Sequence, residues 1–246
     1  MTAVAEARPP DAPAVELEVI ACSVEDALAA EAGGASRIEL TVQLEQDGLT
    51  PPPELVRDVA GRLKIPVRAM LRDRAAFEVG SLEDLARLKQ QAREFAALGV
   101  EGLVTGFVSD AALDLEALEA IIAQAPAARF TLHHAVEHTR NPAAALRGLR
   151  RFANVDRALV SGGKGTLEER ISRWAEYGEA FGPGRTLIAG GGLTLEMLPV
   201  LRERTSLRVF HLGRAVRSPE ESAGRVDAAK VRRACELLGI ARRDFT

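Results

Sequence analysis

Short runs of β-type residues alternate with helix-period stretches along most of the chain. From Val15 onward a strand-like run, a turn and a helical stretch recur about every 25 to 30 residues, eight times in all. Strict alternation is typical of parallel strands joined by helical crossovers, and eight repeats in 246 residues predict a single-domain (β/α)8 TIM-like barrel over residues 15–240. A doubly wound open sheet is the alternative, although the first βα turn, ACSVED, lacks the glycine-rich fingerprint of such sheets.

Within each predicted strand one set of alternate positions is polar and the other is apolar. Because strand side chains alternate between two faces and helices cover the outside of a barrel, the polar set must face the interior. Barrel interiors are usually apolar, so two interpretations stay open: a structural core of ion pairs, and a polar pocket at the carboxyl ends of the strands. The predicted interior residues are Glu18, Glu39, Arg68, Arg72, His133, Arg157 and His211.

The stretch HHAVEH, residues 133–138, holds three of the four histidines of the chain. As a continuation of the fifth strand it places His133 inside the barrel, His134 towards the helices, and Glu137 and His138 at the rim. Glu137 shares the face of His133, but four extended residues separate the two by ~13 Å. The spacing also differs from the H-E-x-x-H metal motif. The stretch therefore predicts one interior residue, His133, which is a ligand, an acid–base group or a hydrogen-bonded core histidine.

Glycine-rich loops follow the late strands, as VSGGKGT, AGGGLT and HLGRAVR, and MLRDR ends the third strand. Backbone amides near helix N-termini favour anions, barrels often bind phosphate at their late loops, and arginine suits carboxylate or phosphate contacts. The alternatives are tight turns that need glycine and arginines that are paired within the protein. The predicted anion-binding residues are Arg72, Arg74, Ser161, Gly162, Gly163, Lys164, Gly191, Gly192 and Arg214.

The two cysteines and the net charge limit which kinds of protein and of partner the sequence predicts. Cys22 and Cys235 do not indicate a disulfide framework, and Cys22, at the end of the first strand, is a candidate soft-metal ligand or nucleophile or else a buried inert thiol. A net charge of −3 and the lack of an apolar run near ~20 residues predict neither a nucleic-acid partner nor a membrane partner. Residues 1–14 are predicted to be a disordered tail that lacks the apolar region of a signal peptide, and residues 241–246 a C-terminal tail, so we expect a cytoplasmic protein.

Several motifs, taken in order, resemble the CutC copper-homeostasis family. They are LEVIACSVEDALAAEAGGASRIEL, DGLTPP, PVRAMLRDR, LHHAVEHT, DRALVSGG, IAGGGL and VFHLGR, and the resemblance runs from about Val15 to Ala215. It implies a cytoplasmic TIM-like barrel that forms a homodimer or a higher homo-oligomer. It also implies a link to copper tolerance and copper as the cofactor, bound as Cu(I).

The resemblance assigns family positions to individual residues. The family glutamates fall on Glu18 and Glu39, and its late-strand histidine falls on His211. Its R-P-R motif falls on residues 72–74, where aspartate replaces proline. Its F-H-R-A-F-D motif falls on residues 132–137, which keep the histidine and replace the arginine with a second histidine.

Cysteines that the family often carries are replaced here by Ile20 and Thr41. Cu(I) prefers sulfur ligands, and Cys22, ~6.5 Å further along the same face than Ile20, is the candidate metal ligand that remains. Mg²⁺ or Mn²⁺ would bridge Glu18 and Glu39 if the two lie in one layer of the barrel. Three functions stay open: copper handling of the CutC type, a pseudo-enzyme or interaction protein with a structural core, and a TIM-barrel enzyme that acts on a small phosphorylated or carboxylated compound. The predicted acid–base residues of that enzyme are Glu18, Glu39, His133 and His211.

Overall fold

The computed structural model describes residues 14–241 as a closed barrel of eight parallel strands, which confirms the predicted (β/α)8 fold. Each strand pairs with its sequence neighbours, and the first pairs with the last. The strands are β1 (Glu16–Ala21), β2 (Arg37–Leu40), β3 (Val67–Met70), β4 (Gly102–Thr105), β5 (Arg129–Leu132), β6 (Val155–Val160), β7 (Thr186–Ala189) and β8 (Val209–Leu212). Apart from Ala14 and Ala241, the predicted tails lie outside the described residues.

One helix follows each strand around the outside of the barrel. The helices are α1 (Val24–Gly33), α2 (Pro53–Arg62), α3 (Leu82–Ala97), α4 (Leu115–Ile122), α5 (Pro142–Gly148), α6 (Leu167–Phe181), α7 (Met197–Arg204) and α8 (Ala228–Leu238). Six of them begin at a side chain that accepts a hydrogen bond from an amide of the first turn, as N-cap residues do: Ser23, Ser81, Asp114, Asn141, Thr166 and Asp227. None of the helices within residues 14–241 is both long enough and apolar enough to cross a lipid bilayer.

Apolar side chains form two separate clusters. The large cluster joins the outward faces of the strands to the helices, as burial of the apolar strand positions requires. A small cluster of Leu159, Ile188 and Val209 lies on the inward faces of β6, β7 and β8. These three inward positions are apolar, whereas inward positions of β1, β2 and β3 carry charged side chains, and β6 and β8 add Arg157 and His211.

Two loops at the carboxyl ends of the strands differ from the prediction. β5 ends at Leu132, and residues His134–His138 form a 3₁₀ helix instead of continuing the strand. The placement of His134 towards the helices was therefore wrong, because alternation between faces applies only while the backbone is extended. β1 ends at Ala21, so Cys22 starts a loop and no longer follows the inward face of the strand.

Candidate functional site

The amino ends of the strands enclose a network of ion pairs. Arg68, which is fully buried, donates to both carboxylate oxygens of Asp156 at 2.8 Å and to Glu101 at 2.9 Å. Each of the six charges lies within hydrogen-bond distance of an opposite charge, and the network contains three arginines and three carboxylates. Its members are Arg37, Arg68, Arg157, Glu16, Glu101 and Asp156. The ion-pair interpretation of the charged interior therefore describes this end of the barrel.

The charges of the network hold its carboxylates in the ionised form. Burial favours a higher pKa for Glu101, but hydrogen bonds and charges from Arg37 and Arg68 outweigh it and lower the pKa to about 2. The pKa of Glu16 is lowered in the same way, against burial, by Arg157 and Arg37. Ion pairs of this kind compensate the charges of the network, although Nε and Nη1 of Arg157 make no hydrogen bond with the described residues.

Higher in the barrel, Glu18, Glu39 and His211 meet from three consecutive strands of the closed sheet. β1 and β8 are in register at Glu18 and His211, and Nδ1 of His211 lies 2.9 Å from Oε1 of Glu18. One ligand atom from each of the three side chains lies within 4.8 Å of the other two. All three residues are at most 5% exposed. We call this group the mouth cluster, and it brings together three of the four predicted acid–base residues.

Two carboxylates share one imidazole in the mouth cluster. Burial raises the pKa of Glu39 to about 6, an effect that the charge of Glu18 reinforces and that of His211 opposes. Burial also favours a higher pKa for Glu18, but the hydrogen bond and the charge of His211 outweigh it and lower the pKa below the usual range. Burial favours a lower pKa for His211, but the two carboxylates outweigh it and raise the pKa. Of the two carboxyl groups, Glu39 therefore keeps its proton to a higher pH than Glu18 does.

Two oxygens of the mouth cluster have no hydrogen-bond donor among the described residues, although they are buried. They are Oε2 of Glu18 and Oε2 of Glu39. A buried acceptor without a partner costs roughly 1–3 kcal/mol, and more when it is charged, so native proteins normally satisfy such atoms with a donor, a water or an ion. Among the described residues no arginine forms a hydrogen bond with the mouth cluster, in contrast to the lower network, although the charges of Arg37 and Arg157 act on Glu18.

His133, the fourth predicted acid–base residue, is buried at the end of β5 outside the mouth cluster. Its Nδ1 accepts a hydrogen bond from the amide of Ala135 at 3.1 Å, which places the ring proton on Nε2. Nε2 has no partner among the described residues. Burial and the nearby charge of Arg72 lower the pKa of His133 well below its usual value, so the ring is a neutral donor at physiological pH.

The two predicted anion-binding arginines that follow β3 form contacts within the protein. Nη1 of Arg72 donates to the carbonyls of residues 46–48 at 3.1 Å each, and its guanidinium lies 4.5 Å from the ring centroid of Phe77. Arg72 therefore fixes the loop that follows β2. Arg74 is largely exposed and forms an ion pair with Asp84. Their predicted role in anion binding stays a prediction.

The glycine-rich loop after β6 holds a carboxylate of the protein itself. The amide of Ser161 donates to Glu137 at 2.7 Å, its hydroxyl donates at 3.0 Å, and the amide of Gly163 donates at 2.9 Å. His134 lies 3.1 Å from the same carboxylate. Gly162 and Gly163 have φ of +77° and +72°, which favours glycine at both positions. Glu137 was predicted at the rim beside His138, and the 3₁₀ turn places it against this loop instead.

The other predicted anion-binding residues lie on the exposed surface of the late loops: Lys164, Gly191, Gly192 and Arg214. A Cβ on Gly191 would lie 2.4 Å from the Cβ of Ser161, so glycine is required there for close packing of two loops. Arg170 was not predicted from the sequence, and it donates from α6 to the carbonyls of Ser161, Gly190 and Gly191. No local motif marks Arg170, because its partners are backbone atoms.

Cys22 lies outside the mouth cluster, and its thiol is 3.5 Å from Nη2 of Arg217. Burial raises the pKa of this thiol to about 11, although Arg217 acts in the opposite direction. The other cysteine, Cys235, is on α8 and donates to the carbonyl of Gly34. Among residues 14–241 the mouth cluster contains carboxylate and imidazole groups and no sulfur, a set that fits a divalent cation and does not fit Cu(I).

Comparison with known proteins links the chain to one family. The CutC family model matches residues 15–216. A CutC family protein from Xanthomonas campestris pv. campestris (strain B100) is 30% identical over 239 residues, which are 92% of this chain and 99% of the relative. A CutC family protein from Salmonella enteritidis PT4 (strain P125109) is 35% identical over 178 residues, which are 72% of this chain and 71% of the relative.

Solved structures show the same architecture. The crystal structure of a CutC protein from Streptococcus agalactiae that is assigned to copper homeostasis superposes with a TM-score of 0.74 at 21% identity, over 81% of this chain and 98% of that one. Monomers of the phosphoribosylanthranilate isomerase from Thermotoga maritima superpose with a TM-score of 0.63 at 14% identity, over 92% and 98% of the two chains. At these identities the likeness shows the barrel fold.

Proposed function

The chain belongs to the CutC family, and from that premise we propose that its barrel binds a divalent metal ion through Glu18, Glu39 and His211. The observation that supports this proposal is the mouth cluster: three buried ligand atoms within 4.8 Å of one another, with two carboxylate oxygens that lack a donor. With a neutral imidazole the cluster carries two negative charges, which a divalent cation neutralises. A metal ion would also satisfy the oxygens that the described residues leave unpaired.

The chemistry of the cluster selects among metals. Carboxylate and imidazole ligands suit Mn²⁺, Fe²⁺, Zn²⁺ and Cu²⁺, with affinity that rises towards Cu²⁺. Cu(I) prefers thiolates, and Ile20 and Thr41 occupy the positions where the family often has cysteine. Copper binding by this chain would therefore use oxygen and nitrogen ligands and the oxidised ion.

Metal titration tests this proposal. Protein treated with a chelator is titrated with Zn²⁺, Mn²⁺ and Cu²⁺ by calorimetry, and we expect one ion per chain at pH 7.5. Glu39→Gln removes a charged ligand and should weaken binding by at least ~10–100-fold, the loss seen even for outer partners of a metal site. Glu45→Gln, at an exposed position of the loop after β2, is the matched control and should bind as the wild type does.

The pH dependence of binding provides a second readout. Protons compete with the metal for Glu39 and His211, so affinity should fall between pH 7.5 and pH 5.5. The proposal fails if the wild type binds none of the three ions, or if Glu39→Gln binds them as tightly as the wild type.

The raised pKa of Glu39 favours a second candidate function, an acid–base enzyme that acts on a small phosphorylated or carboxylated compound. A carboxyl group with a pKa of about 6 beside an imidazole is suited to moving protons at neutral pH. We test it by incubating small oxo acids and sugar phosphates with the protein in D₂O and following deuterium incorporation by NMR. Incorporation should be lost in His211→Asn, and exchange that survives this variant would exclude the cluster as its source.

A further inference from the structure

The loop after β6 presents three hydrogen-bond donors to one point in space. The amide and hydroxyl of Ser161 and the amide of Gly163 all donate to the carboxylate of Glu137, at 2.7 to 3.0 Å. Consecutive amides that turn to one side through left-handed glycines form an anion-binding concavity. We call these three donors the amide cradle. The group that it binds in this structure, the Glu137 carboxylate, is an anion, as this arrangement of donors favours.

The cradle is held in place from behind by two arginines of α6, independently of Glu137. Arg170 donates to the carbonyl of Ser161 at 2.7 Å. Arg173 donates to the carbonyls of Gly162 and Lys164. Because the carbonyls are bound on one side, the amides stay directed to the other, and the two guanidinium groups add positive charge behind the cradle. The donors are therefore preorganised for an oxyanion whether or not Glu137 is present.

Glu137 belongs to a short segment of the chain. It lies on the five-residue 3₁₀ helix His134–His138, and its carboxylate pairs with His134 at 3.1 Å. The hydrogen bonds from His134 and Ser161 keep the carboxylate ionised against the effect of burial. Ala135 and Val136 of this turn are fully buried, so rotation of the Glu137 side chain, without movement of the turn, would free the cradle, and the exchange would replace one anion with another.

The cradle lies next to the barrel mouth. His134, the partner of Glu137, is close enough to Gly191 that a Cβ on that glycine would be 3.4 Å from its imidazole. The charge of His134 also acts on the mouth cluster, where it lowers the pKa of Glu39. A ligand whose anionic group occupied the cradle would therefore lie near the mouth cluster, with His134 between them.

We propose that the amide cradle of Ser161 and Gly163 is an oxyanion-binding site in which the side chain of Glu137 stands in for the phosphate or carboxylate group of a ligand. The ligand displaces Glu137 and takes over its hydrogen bonds. This site goes beyond the proposed metal binding and does not depend on it, because the two share no residue.

Inorganic phosphate is the probe for the test. Wild type, Glu137→Ala and Glu137→Gln are titrated at constant ionic strength, and binding is followed by calorimetry and by the shift of thermal unfolding. Both variants should bind phosphate at least about tenfold more tightly than the wild type, because the competing carboxylate is gone. Adding Ser161→Ala to Glu137→Ala removes one donor to a charged group and should weaken phosphate binding roughly tenfold.

Two controls keep the outcome interpretable. Glu179→Ala removes an exposed glutamate from α6 and should bind phosphate as the wild type does, which separates the cradle from a general change in charge. Glu137→Gln keeps the size of the side chain, so it reports on the cradle if Glu137→Ala does not fold. The proposal is overturned if a folded Glu137 variant binds phosphate no more tightly than the wild type. Metal titration of the same variants should be unchanged, so failure of one proposal leaves the other testable.

Discussion

The two ends of the barrel interior use the same types of residue in opposite ways. At the amino ends of the strands, three arginines and three carboxylates neutralise one another, and each charge has a partner within 3 Å. At the mouth, Glu18 and Glu39 face a single histidine, and an oxygen of each has no donor among residues 14–241. The three mouth residues and the arginines of the lower network are buried, whereas the carboxylate side chains of the lower network are 26% to 31% exposed. The two ends therefore differ in the number of compensating charges and in the access of water to the carboxylates.

The number of compensating charges distinguishes the two sets of carboxylates more clearly than residue type does. A buried charge with a partner contributes to stability, and removal of its partner is costly. A buried charge without a partner destabilises the fold and persists where another group, such as a metal ion or a proton, completes it. Three variants test this comparison. One removes a charge from the lower network, one removes a charge from the mouth cluster, and one changes a residue that belongs to neither.

The largest effect is expected for Arg68→Met in the lower network. The change leaves Asp156 and part of Glu101, which are 26% and 31% exposed, without their buried partner, which should lower the free energy of unfolding by about 2–4 kcal/mol. Urea denaturation at pH 7.5 measures the loss. Arg87→Met, which removes an arginine that is half exposed, is the control and should cost less than about 1 kcal/mol. A similar loss in both variants would show that the lower network is not special.

A smaller effect of opposite sign is expected for Glu39→Gln in metal-free protein. The pKa of Glu39 is raised in the folded state, from 4.5 to about 6, so the folded protein binds this proton more tightly than the unfolded chain does. The stability of the wild type therefore falls as the pH rises from about 4.5 to 6 and stays at the lower level above it. Glutamine carries no charge and avoids this loss.

Glu39→Gln should consequently be more stable than the wild type at pH 7.5, by on the order of 1–2 kcal/mol, and about equal to it at pH 4.5. Denaturation curves of both proteins at the two pH values provide the measurement. Lower stability of the variant at pH 7.5 would mean that Glu39 has a compensating partner and that the contrast between the two ends is wrong.

The smallest effect is expected for Cys22→Ser, which belongs to neither end. The thiol lies against Arg217, and its pKa of about 11 keeps it protonated at neutral pH, when metal binding requires the thiolate. Binding of Cu(I) under reducing conditions, measured by competition with a chromogenic chelator, should be the same for this variant and the wild type. Weaker binding by the variant would restore Cys22 as a metal ligand.

Alternating polar and apolar positions were sufficient to predict the barrel and the inward direction of most of its charges. Glu18, Glu39 and His211 were predicted to face inward, and they meet because β8, β1 and β2 are neighbours once the sheet closes. The alternation was reliable only where the backbone stays extended. It misplaced His134, since the chain turns into a 3₁₀ helix directly after β5.

Side chains that precede a strand, lie on its outward face or belong to a loop could not be predicted in this way. Glu101 precedes β4, and Asp156 shares the outward face of β6, yet both reach Arg68 because side chains at a strand terminus can bend around the barrel end. The contact of Glu137 with the amide cradle joins two loops whose relative position only the folded chain defines. By contrast, Arg37 and Glu16 share faces with Glu39 and Glu18, so the alternation itself could have identified them.

The lower network also sets an order for events during synthesis. Arg68 and its partner Asp156 are 88 positions apart in the chain. At the ribosomal rate of about 5–20 residues per second, Arg68 emerges roughly 4–18 seconds before Asp156 does. During that interval a nascent half barrel would have to bury an arginine that still lacks its bidentate partner. Closure of the barrel is therefore postponed until most of the polypeptide has left the ribosome.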